Sequence, residues 1–385
     1  MKSNYKTLEE LVIRIDERNS NNKTDVLLGL SIDKCFIPSV ANTIGTDLKN
    51  YKLIRKNDFA VSLMQVSRDS RIPIARQTEY EIAIMSPVYP IFRVRNSDEI
   101  LPEYLELWFK RNEFDREAAF IAVGGVRGSM PWNEFAQMKV YVPKIEQQRK
   151  IVEAYKIVEE RIKLKRKIND NLSNIEQAIL VEAINSNSTT QIALENLVEF
   201  IDGDRGKNYP TFDEFIATGY CLFLNASNVT PKGFNFGTCL FVTEEKDKAM
   251  NKGHLSLYDI VLTSRGTLGN VALYDKHIKY ENVRINSGML IIRPKTQLLS
   301  PYFIYVLLRS SYMKAAVEQF KSGSAQPQLP IKDLQRITFE IPEYDDVLCV
   351  LDHQFKSIEE QISINKREVD SLNDLSSILL AELSC

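Results

Sequence analysis

Basic, amide and hydroxyl side chains gather in short, turn-forming loops in both halves of the chain. In the second half they are Arg205, Lys207, Asn208, Tyr209, Asn225, Asn228, Arg265, Thr267, Ser324, Gln326 and Gln328. In the first half they are Ser67, Arg68, Arg71, Arg127 and Ser129. Arginine forms paired hydrogen bonds with guanine, asparagine and glutamine form them with adenine, and lysine and serine hold phosphates. The set therefore predicts DNA-binding residues, although ordinary solvated turns would explain most of them one by one.

Residue patterns for catalysis or for metal binding are scarce in the sequence. The chain has no Walker loop, and its three histidines do not stand at a metal-binding spacing. Its five cysteines are scattered without a C-x-x-C pair, which predicts neither a disulfide framework nor a zinc site. One weak alternative is that Asp213, followed by Glu244 and Lys246, faintly resembles the acidic metal sites of nucleases.

The secondary-structure elements that must position these loops occur twice, as an internal repeat of the sequence. Pro102 in PEYLELWFKR corresponds to Pro301 in PYFIYVLLRS at a shift of 199 residues, and KNDFAVS from Lys56 corresponds to LYDIVLTS from Leu257. Short runs of β-branched and aromatic residues between turns predict strands. One amphipathic helix is expected in each copy, at 103–114 and at 302–320. We therefore expect an α+β protein with two repeated globules of mixed helices and strands.

A heptad pattern follows each globule in the sequence. Its residues are spaced alternately four and three apart, and we call this line of residues the seam. Its first copy is Ile151, Tyr155, Val158, Ile162, Lys165, Asn169 and Leu172, and its second copy is Leu351, Phe355, Ile358, Ile362, Asn365, Val369 and Leu372. Amphipathic surface helices would explain either copy alone. Two copies in the same phase favour a pair of helices that pack on each other.

Short joins at 185–190 and 343–346 predict the direction of the pair. A parallel pair would need a connection of ~50 Å, so we expect an antiparallel two-helix coiled coil. The globules, at 1–144 and 190–342, would then lie at opposite ends of a rod formed by 145–184 and 343–385, related by a pseudo-twofold axis. The polar seam residues are either locally solvated or fix the register of the pair at some cost in stability.

Composition and charge narrow the class of protein. The chain is 44% hydrophobic and 26% charged, as is typical of soluble globular proteins. It has no apolar run near the ~20 residues of a membrane helix and no signal-peptide core at its N-terminus, so we expect a cytoplasmic protein that does not bind membranes. Residues 343–385 hold ten acidic and three basic groups, and DNA should avoid this segment.

Four stretches combine with the repeat into a specific pattern: VPKIEQQRKIVEAYKIVEERI, LENLVEFIDGDRGKNYP, GYCLFLNASNV and SGSAQPQLP. With them the whole chain resembles the specificity subunit of type I restriction-modification systems. The resemblance implies that each globule is a target-recognition domain for one half of a bipartite site on double-stranded DNA. It also implies that the helices separate the two domains and dock two methyltransferase subunits.

The resemblance further implies that this chain holds no catalytic residue and no metal. The methyltransferase subunits would hold S-adenosylmethionine, and restriction subunits, which move along DNA, would use ATP and Mg²⁺. The globules differ most at 16–95 and 202–294, which predicts two unrelated half-sites. The second helix begins with DDVLCVLDHQ where the first has EQQRKIVEAY, so partners need not dock equally on both. The alternatives are a self-standing DNA-modifying enzyme and a protein-binding scaffold.

Overall fold

The computed structural model describes residues 4–39, 47–64, 66–124, 128–295, 299–320 and 327–384. The chain forms two compact units, of which one is Met1–Lys163 with Asp370–Cys385 and the other is Leu164–Val369. Each unit holds one globule and part of each of two long helices. Within the described ranges, no helix combines the length and the apolar composition that crossing a membrane would need.

The first globule is built from short strands and helices. Its strands are β1 (Tyr5–Thr7), β2 (Val12–Ile15), β3 (Leu27–Leu30), β4 (Phe36–Pro38), β5 (Lys52–Arg55), β6 (Phe59–Val61), β7 (Ile74–Arg76), β8 (Ile82–Met85), β9 (Ile91–Val94) and β10 (Lys139–Tyr141). Its helices are α1 (Leu8–Leu11), α2 (Val66–Asp69), α3 (Pro102–Lys110), α4 (Asn112–Ile121) and α5 (Trp132–Gln137). The long helix α6 (Ile145–Ser186) follows.

The second globule has a similar order of elements. Its strands are β11 (Thr189–Ala193), β12 (Val198–Asp202), β13 (Cys221–Leu224), β14 (Val229–Thr230), β15 (Gly233–Phe234), β16 (Phe241–Val242), β17 (Ile260–Thr263), β18 (Val271–Leu273), β19 (Val283–Ile285), β20 (Met289–Pro294) and β21 (Thr338–Pro342). Its helices are α7 (Leu194–Leu197), α8 (Glu244–Ala249), α9 (Pro301–Leu308), α10 (Ser311–Phe320) and α11 (Ile331–Gln335). The second long helix, α12 (Asp345–Ala381), follows.

The same sheet occurs in both globules. Its four antiparallel strands are ordered β2-β9-β6-β7 in the first globule and β12-β20-β17-β18 in the second. A second sheet contains one parallel pair in each globule, β3 with β8 and β13 with β19. The first strand of each globule pairs with its last, β1 with β10 and β11 with β21. The predicted internal repeat and the mixed fold class are confirmed.

A buried aspartate marks the same turn in both sheets. Asp58 and Asp259 are each 1% exposed, and the residue before each has a positive φ, of 70° and 72° respectively. Each carboxylate accepts two hydrogen bonds from an arginine on the neighbouring strand, Arg93 in one globule and Arg293 in the other, at 2.8–3.0 Å. An ionised pair held by two bonds is strong and directional, so it fixes the turn that precedes β6 and β17.

The predicted single helix of each globule is wrong, because each is two helices. Arg111 has extended backbone angles and separates α3 from α4, and its guanidinium lies 4.2 Å from the centre of the Trp108 ring. In the second globule the Ser310 hydroxyl accepts a hydrogen bond from the backbone N–H of Met313 and starts α10. Helix-capping side chains of this kind compete with continuation of the preceding helix.

The long helices run antiparallel within each unit. In the second unit Lys165 donates to Asn365 over 3.0 Å, and the Asn169 amide donates to the carbonyl of Ile362 over 3.2 Å. In the first unit Ser376 donates to Glu159 over 3.4 Å, and Tyr155 and Leu380 belong to the same apolar cluster. The residue number on α12 therefore falls as the number on α6 rises. The predicted antiparallel pairing is confirmed.

The seam is buried along most of its length. Its buried members are Tyr155, Val158, Ile162, Leu351, Phe355, Ile362, Asn365 and Val369, and its half-buried members include Ile151, Leu172, Ile358 and Leu372. Asn365 is 1% exposed and donates to Asn169 over 2.7 Å while it accepts from Lys165. These polar residues bond to one another across the pair, which favours the register-fixing interpretation over local solvation.

Candidate nucleic-acid interface

The loop that follows β12 is organised by a buried carboxylate. Asp204 is 6% exposed and accepts hydrogen bonds from the backbone N–H groups of Gly206 and Asn251, at 2.6 and 2.7 Å. These backbone donors hold the pKa of Asp204 below its usual range, because they favour the charged form. The exposed Arg205 donates to Asp202 and to the carbonyl of Ser287. The loop is therefore held from inside while its basic side chains face solvent.

Other residues predicted in this loop have different positions. Lys207 is exposed, whereas Asn208 donates over 2.7 Å to the carbonyl of Ala249 at the end of α8. The Tyr209 ring packs edge-on against Phe223, with 5.6 Å between the ring centres. Lys207 and Arg205 are thus the side chains that this loop presents outward, and the other two fasten it to the globule.

Arg265 and Gln328 lie beside each other although 63 positions separate them in the sequence. Their backbones form an isolated β-bridge, and the Arg265 N–H donates to the carbonyl of Gly288 over 3.1 Å. The neighbouring Ser287 carbonyl accepts from Arg205. The structure therefore brings Arg205, Arg265 and Gln328 together around the Ser287–Gly288 turn, with Thr267 exposed in the same loop.

Close backbone approach explains one glycine in this region. A Cβ atom at Gly203 would lie 2.3 Å from the carbonyl oxygen of Asn286. Only glycine lets the loop that carries Arg205 reach the turn at Ser287.

Asn225 and Asn228 serve the fold of their own turn. Asn228 is 1% exposed, its amide donates to the carbonyls of Asn235 and Thr238, and its side-chain oxygen accepts from the backbone of Asn225. Asn225 is half-buried and accepts from the N–H and hydroxyl of Ser227. Because the donors and the acceptor of Asn228 are used inside the globule, we do not include it among the residues that we propose contact DNA.

The first globule places its candidate residues at the corresponding turn. Ser67 and Arg68 belong to α2, which follows β6, and the Arg68 side chain is 64% exposed. Gly128 has a φ of 71°, and a Cβ there would lie 2.3 Å from the Ser67 hydroxyl oxygen, so Ser129 is held next to α2. The backbone of Met130 bonds to Leu63, as that of Leu329 bonds to Ser264 in the second globule.

Arg71 is tied to a buried cation–anion cluster. Its guanidinium lies 3.2 Å from Asp33 and 3.9 Å from Asp115. Asp115 also binds Lys34 over 2.7 Å, and the side chains of Asp115 and Lys34 are only 10% and 5% exposed. Burial lowers the pKa of Lys34. The cluster anchors the chain beside α2. Of the other predicted residues, Arg127, Ser324 and Gln326 lie outside the described residues.

Lys246, which belongs to the pattern that resembles an acidic nuclease site, forms an ion pair outside that pattern. Lys246 forms an ion pair with Glu214 over 2.8 Å, and this ammonium, together with the backbone of Thr211, lowers the pKa of Glu214 to about 2. The lysine thus ties α8 to the short turn at 212–214.

Two buried polar groups escaped the sequence reasoning. Glu176 is fully buried, and it stands four residues after Leu172, so extending the seam by one step would have found it. A second group joins Cys221, Asp247 and His254, whose possible ligand atoms all lie within 4.8 Å of one another. Their separations of 26 and 7 positions match no metal-binding motif, so only the fold reveals them.

Comparison with known proteins finds one family model and several similar folds. The model of the type I restriction modification DNA specificity domain matches residues 190–370. The chain is similar in fold to the S subunit of a type I restriction-modification system from M. genitalium, with a TM-score of 0.55, 15% identity and coverage of 98% of this chain and 95% of that one.

Two further solved structures are more distant. The HsdS subunit from Thermoanaerobacter tengcongensis has a TM-score of 0.38, 15% identity and coverage of 98% and 95%. A chain from a study of complex assembly and conformational transition in the type I R-M system has a TM-score of 0.46, 15% identity and coverage of 98% and 96%. No curated protein matches the chain. Residues 190–370 are similar to the type I restriction modification DNA specificity domain, and the predicted resemblance to the specificity subunits of these systems is confirmed by this match and by the shared fold of the chain.

Proposed function

We propose that the chain is the DNA sequence-recognition subunit of a type I restriction-modification complex and that it reads a bipartite, asymmetric site. One observation carries this proposal. The first globule lies outside the match to the family model, yet it has the same sheet order and the same buried aspartate–arginine pair as the second. Because one globule is a DNA specificity domain and the other shares its architecture, we assign one half-site to each.

The residues that we assign to base and phosphate contact follow from exposure and placement. In the second globule they centre on Arg205, Arg265 and Gln328, with Lys207 as a phosphate contact. In the first globule they centre on Arg68 with Ser67 and Ser129. The loops of the two globules differ in sequence, so the two half-sites should be unrelated.

We assign partner docking and spacing to the long helices. Exposed apolar side chains on them support a protein partner, since Ile157, Ile175 and Ile378 are 59%, 48% and 55% exposed. Two methyltransferase subunits would dock there and hold S-adenosylmethionine, and restriction subunits would supply ATP- and Mg²⁺-dependent chemistry. This chain would supply recognition alone, in the cytoplasm.

Duplex binding at several salt concentrations tests the assignment to DNA. The chain, in complex with its methyltransferase subunits, should bind duplex with an affinity that falls steeply as salt rises, because basic side chains displace counterions from phosphates. Affinity for DNA that does not change with salt would contradict the proposal. Methylation or cleavage by the purified chain alone would instead identify a self-standing enzyme.

A further inference from the structure

Three side chains with metal-binding atoms converge in the second globule. Cys221 begins β13, Asp247 lies in α8, and His254 follows α8 in an isolated bridge with Arg284. One possible ligand atom from each of the three lies within 4.8 Å of the others, and Nε2 of His254 is 3.8 Å from Oδ2 of Asp247. Among the residues that the structure describes, this is the one group of its kind.

The histidine is oriented by a hydrogen bond on its other nitrogen. Nδ1 of His254 lies 3.1 Å from the carbonyl oxygen of Leu255. A carbonyl only accepts, so Nδ1 carries the proton and the lone pair of neutral His254 is on Nε2, which faces Asp247. Histidines that bind metals in proteins usually donate their second N–H in this way.

The carboxylate is oriented in the same manner. Oδ1 of Asp247 accepts from Nε of Arg284 over 2.7 Å, and the guanidinium also donates to the backbone carbonyls of Asp247 and Lys252. Oδ2 is therefore the oxygen directed at His254. Arg284 fixes the carboxylate from one side and leaves the other side for a ligand.

Two of the three side chains are buried, and the third is accessible to solvent. Cys221 is 0% and Asp247 6% exposed, whereas the His254 side chain is 38% exposed. An ion could thus enter past the imidazole, and a water could occupy a fourth position there. Catalytic and regulatory zinc sites commonly combine three protein ligands with one open position.

We propose that Cys221, Asp247 and His254 bind one Zn²⁺ ion. Sulfur and imidazole ligands select zinc over Mg²⁺ and Ca²⁺, which prefer oxygen. Zn–ligand bonds of about 2.0–2.3 Å in a tetrahedron separate neighbouring ligand atoms by about 3.3–3.7 Å. The distance of 3.8 Å between Nε2 and Oδ2 is therefore close to the bound geometry.

The ion would brace the loop that carries Arg205. Asn208 bonds to the end of α8, and Asp204 accepts from the backbone of Asn251, so the segment that holds two of the ligands also supports this loop. Zinc binding would fix β13, α8 and His254 to one another beneath the loop. Binding of the metal itself does not depend on the proposed DNA function.

Cobalt is a direct probe, because tetrahedral Co²⁺ absorbs visible light and Co²⁺ bound to a thiolate adds a near-ultraviolet charge-transfer band. The full-length chain, stripped with a chelator, should bind one equivalent of Co²⁺ with both signals, and Zn²⁺ should remove them. Cys221→Ser should abolish the charge-transfer band. His254→Ala, at a half-exposed position, should weaken Co²⁺ binding by about tenfold or more.

The matched controls are Cys239→Ser in the same globule and His353→Ala on α12, and neither should change the spectra. Zn²⁺ should also raise the melting temperature of the wild-type chain but not that of His254→Ala. A wild-type chain without a thiolate band, or one whose band persists in Cys221→Ser, would overturn the proposal. If Cys221→Ser does not fold, unaltered binding by His254→Ala would overturn it equally.

Discussion

The guanidinium of Arg309 lies 2.6 Å from a carboxylate oxygen of Glu359. Arg309 directly follows α9 of the second globule, and Glu359 lies on α12. The same guanidinium is 3.5 Å from Glu176 and donates over 2.8 Å to Ser173, both on α6. The three charged side chains are no more than 16% exposed. Within its unit, one cation thus ties the second globule to both helices.

Arg309→Ala should destabilise the second unit strongly. The substitution leaves the buried carboxylate of Glu359 without the Arg309 cation, and removal of one member of a buried pair costs about 3–5 kcal/mol. Chemical denaturation measures this loss in the free energy of unfolding. Arg166→Ala, an exposed arginine on α6, is the matched control. A loss no larger than that of the control would show that Arg309 does not hold the globule on the helices.

Glu176 should make stability depend on pH. Burial, and then the nearby charge of Glu359, raise the pKa of Glu176 from 4.5 to about 9, and Arg309 and Lys366 oppose this rise. An acid whose pKa is raised by folding stabilises the folded state fully below its unfolded pKa. That stability is lost as pH rises from 4.5 towards about 9.

Glu176→Gln removes this titration, so the variant should show a flatter dependence of melting temperature on pH over the same range. The same substitution at Glu182, exposed on the same helix, should leave the slope unchanged. A wild-type slope in Glu176→Gln would place the pH dependence elsewhere.

Arg265→Ala should relax recognition at one base position of one half-site. The side chain extends from a loop held by its own backbone bond to Gly288, so its removal leaves the loop in place. Loss of an arginine that binds guanine costs about 1–3 kcal/mol of binding free energy. Selection of bound sequences from a random pool measures the change. An unaltered preference in both half-sites would remove Arg265 from the interface.

Asn228→Ala, a substitution of a buried residue, should affect folding and not base preference, in contrast to Arg265→Ala. Its buried amide satisfies two carbonyls, so truncation should cost about 1–3 kcal/mol of folding free energy and leave base preference unchanged.

Removal of one heptad from each long helix should shorten the unread spacer of the DNA site. Seven helical residues span about 10 Å, which corresponds to about three base pairs. Both half-site sequences should stay the same, because the globules are untouched. Selection with spacers of varied length measures the shift. An unchanged optimal spacer would refute the role of the helices in setting it.

The sequence predicted the structural features that depend on residue periodicity. It did not predict those that depend on tertiary contacts. The heptad positions of both seam copies, and the correspondence of Asp58 with Asp259 between the two globules, followed from spacing alone. The breaks at Arg111 and Ser310 did not, because side-chain packing and capping overrode a continuous helical pattern. The role of Asn228 in holding its turn was not visible from residue type, because it depends on burial and on hydrogen bonds to Asn235 and Thr238.

The most direct test of the account is to map the methylated adenines when the chain is produced with its methyltransferase partner. We expect methylation within two unlike short sequences separated by a spacer of fixed length. Substitutions at Arg68 should alter one sequence and those at Arg265 the other. A palindromic site, or one continuous sequence altered by both substitutions, would contradict two separate readers in one chain.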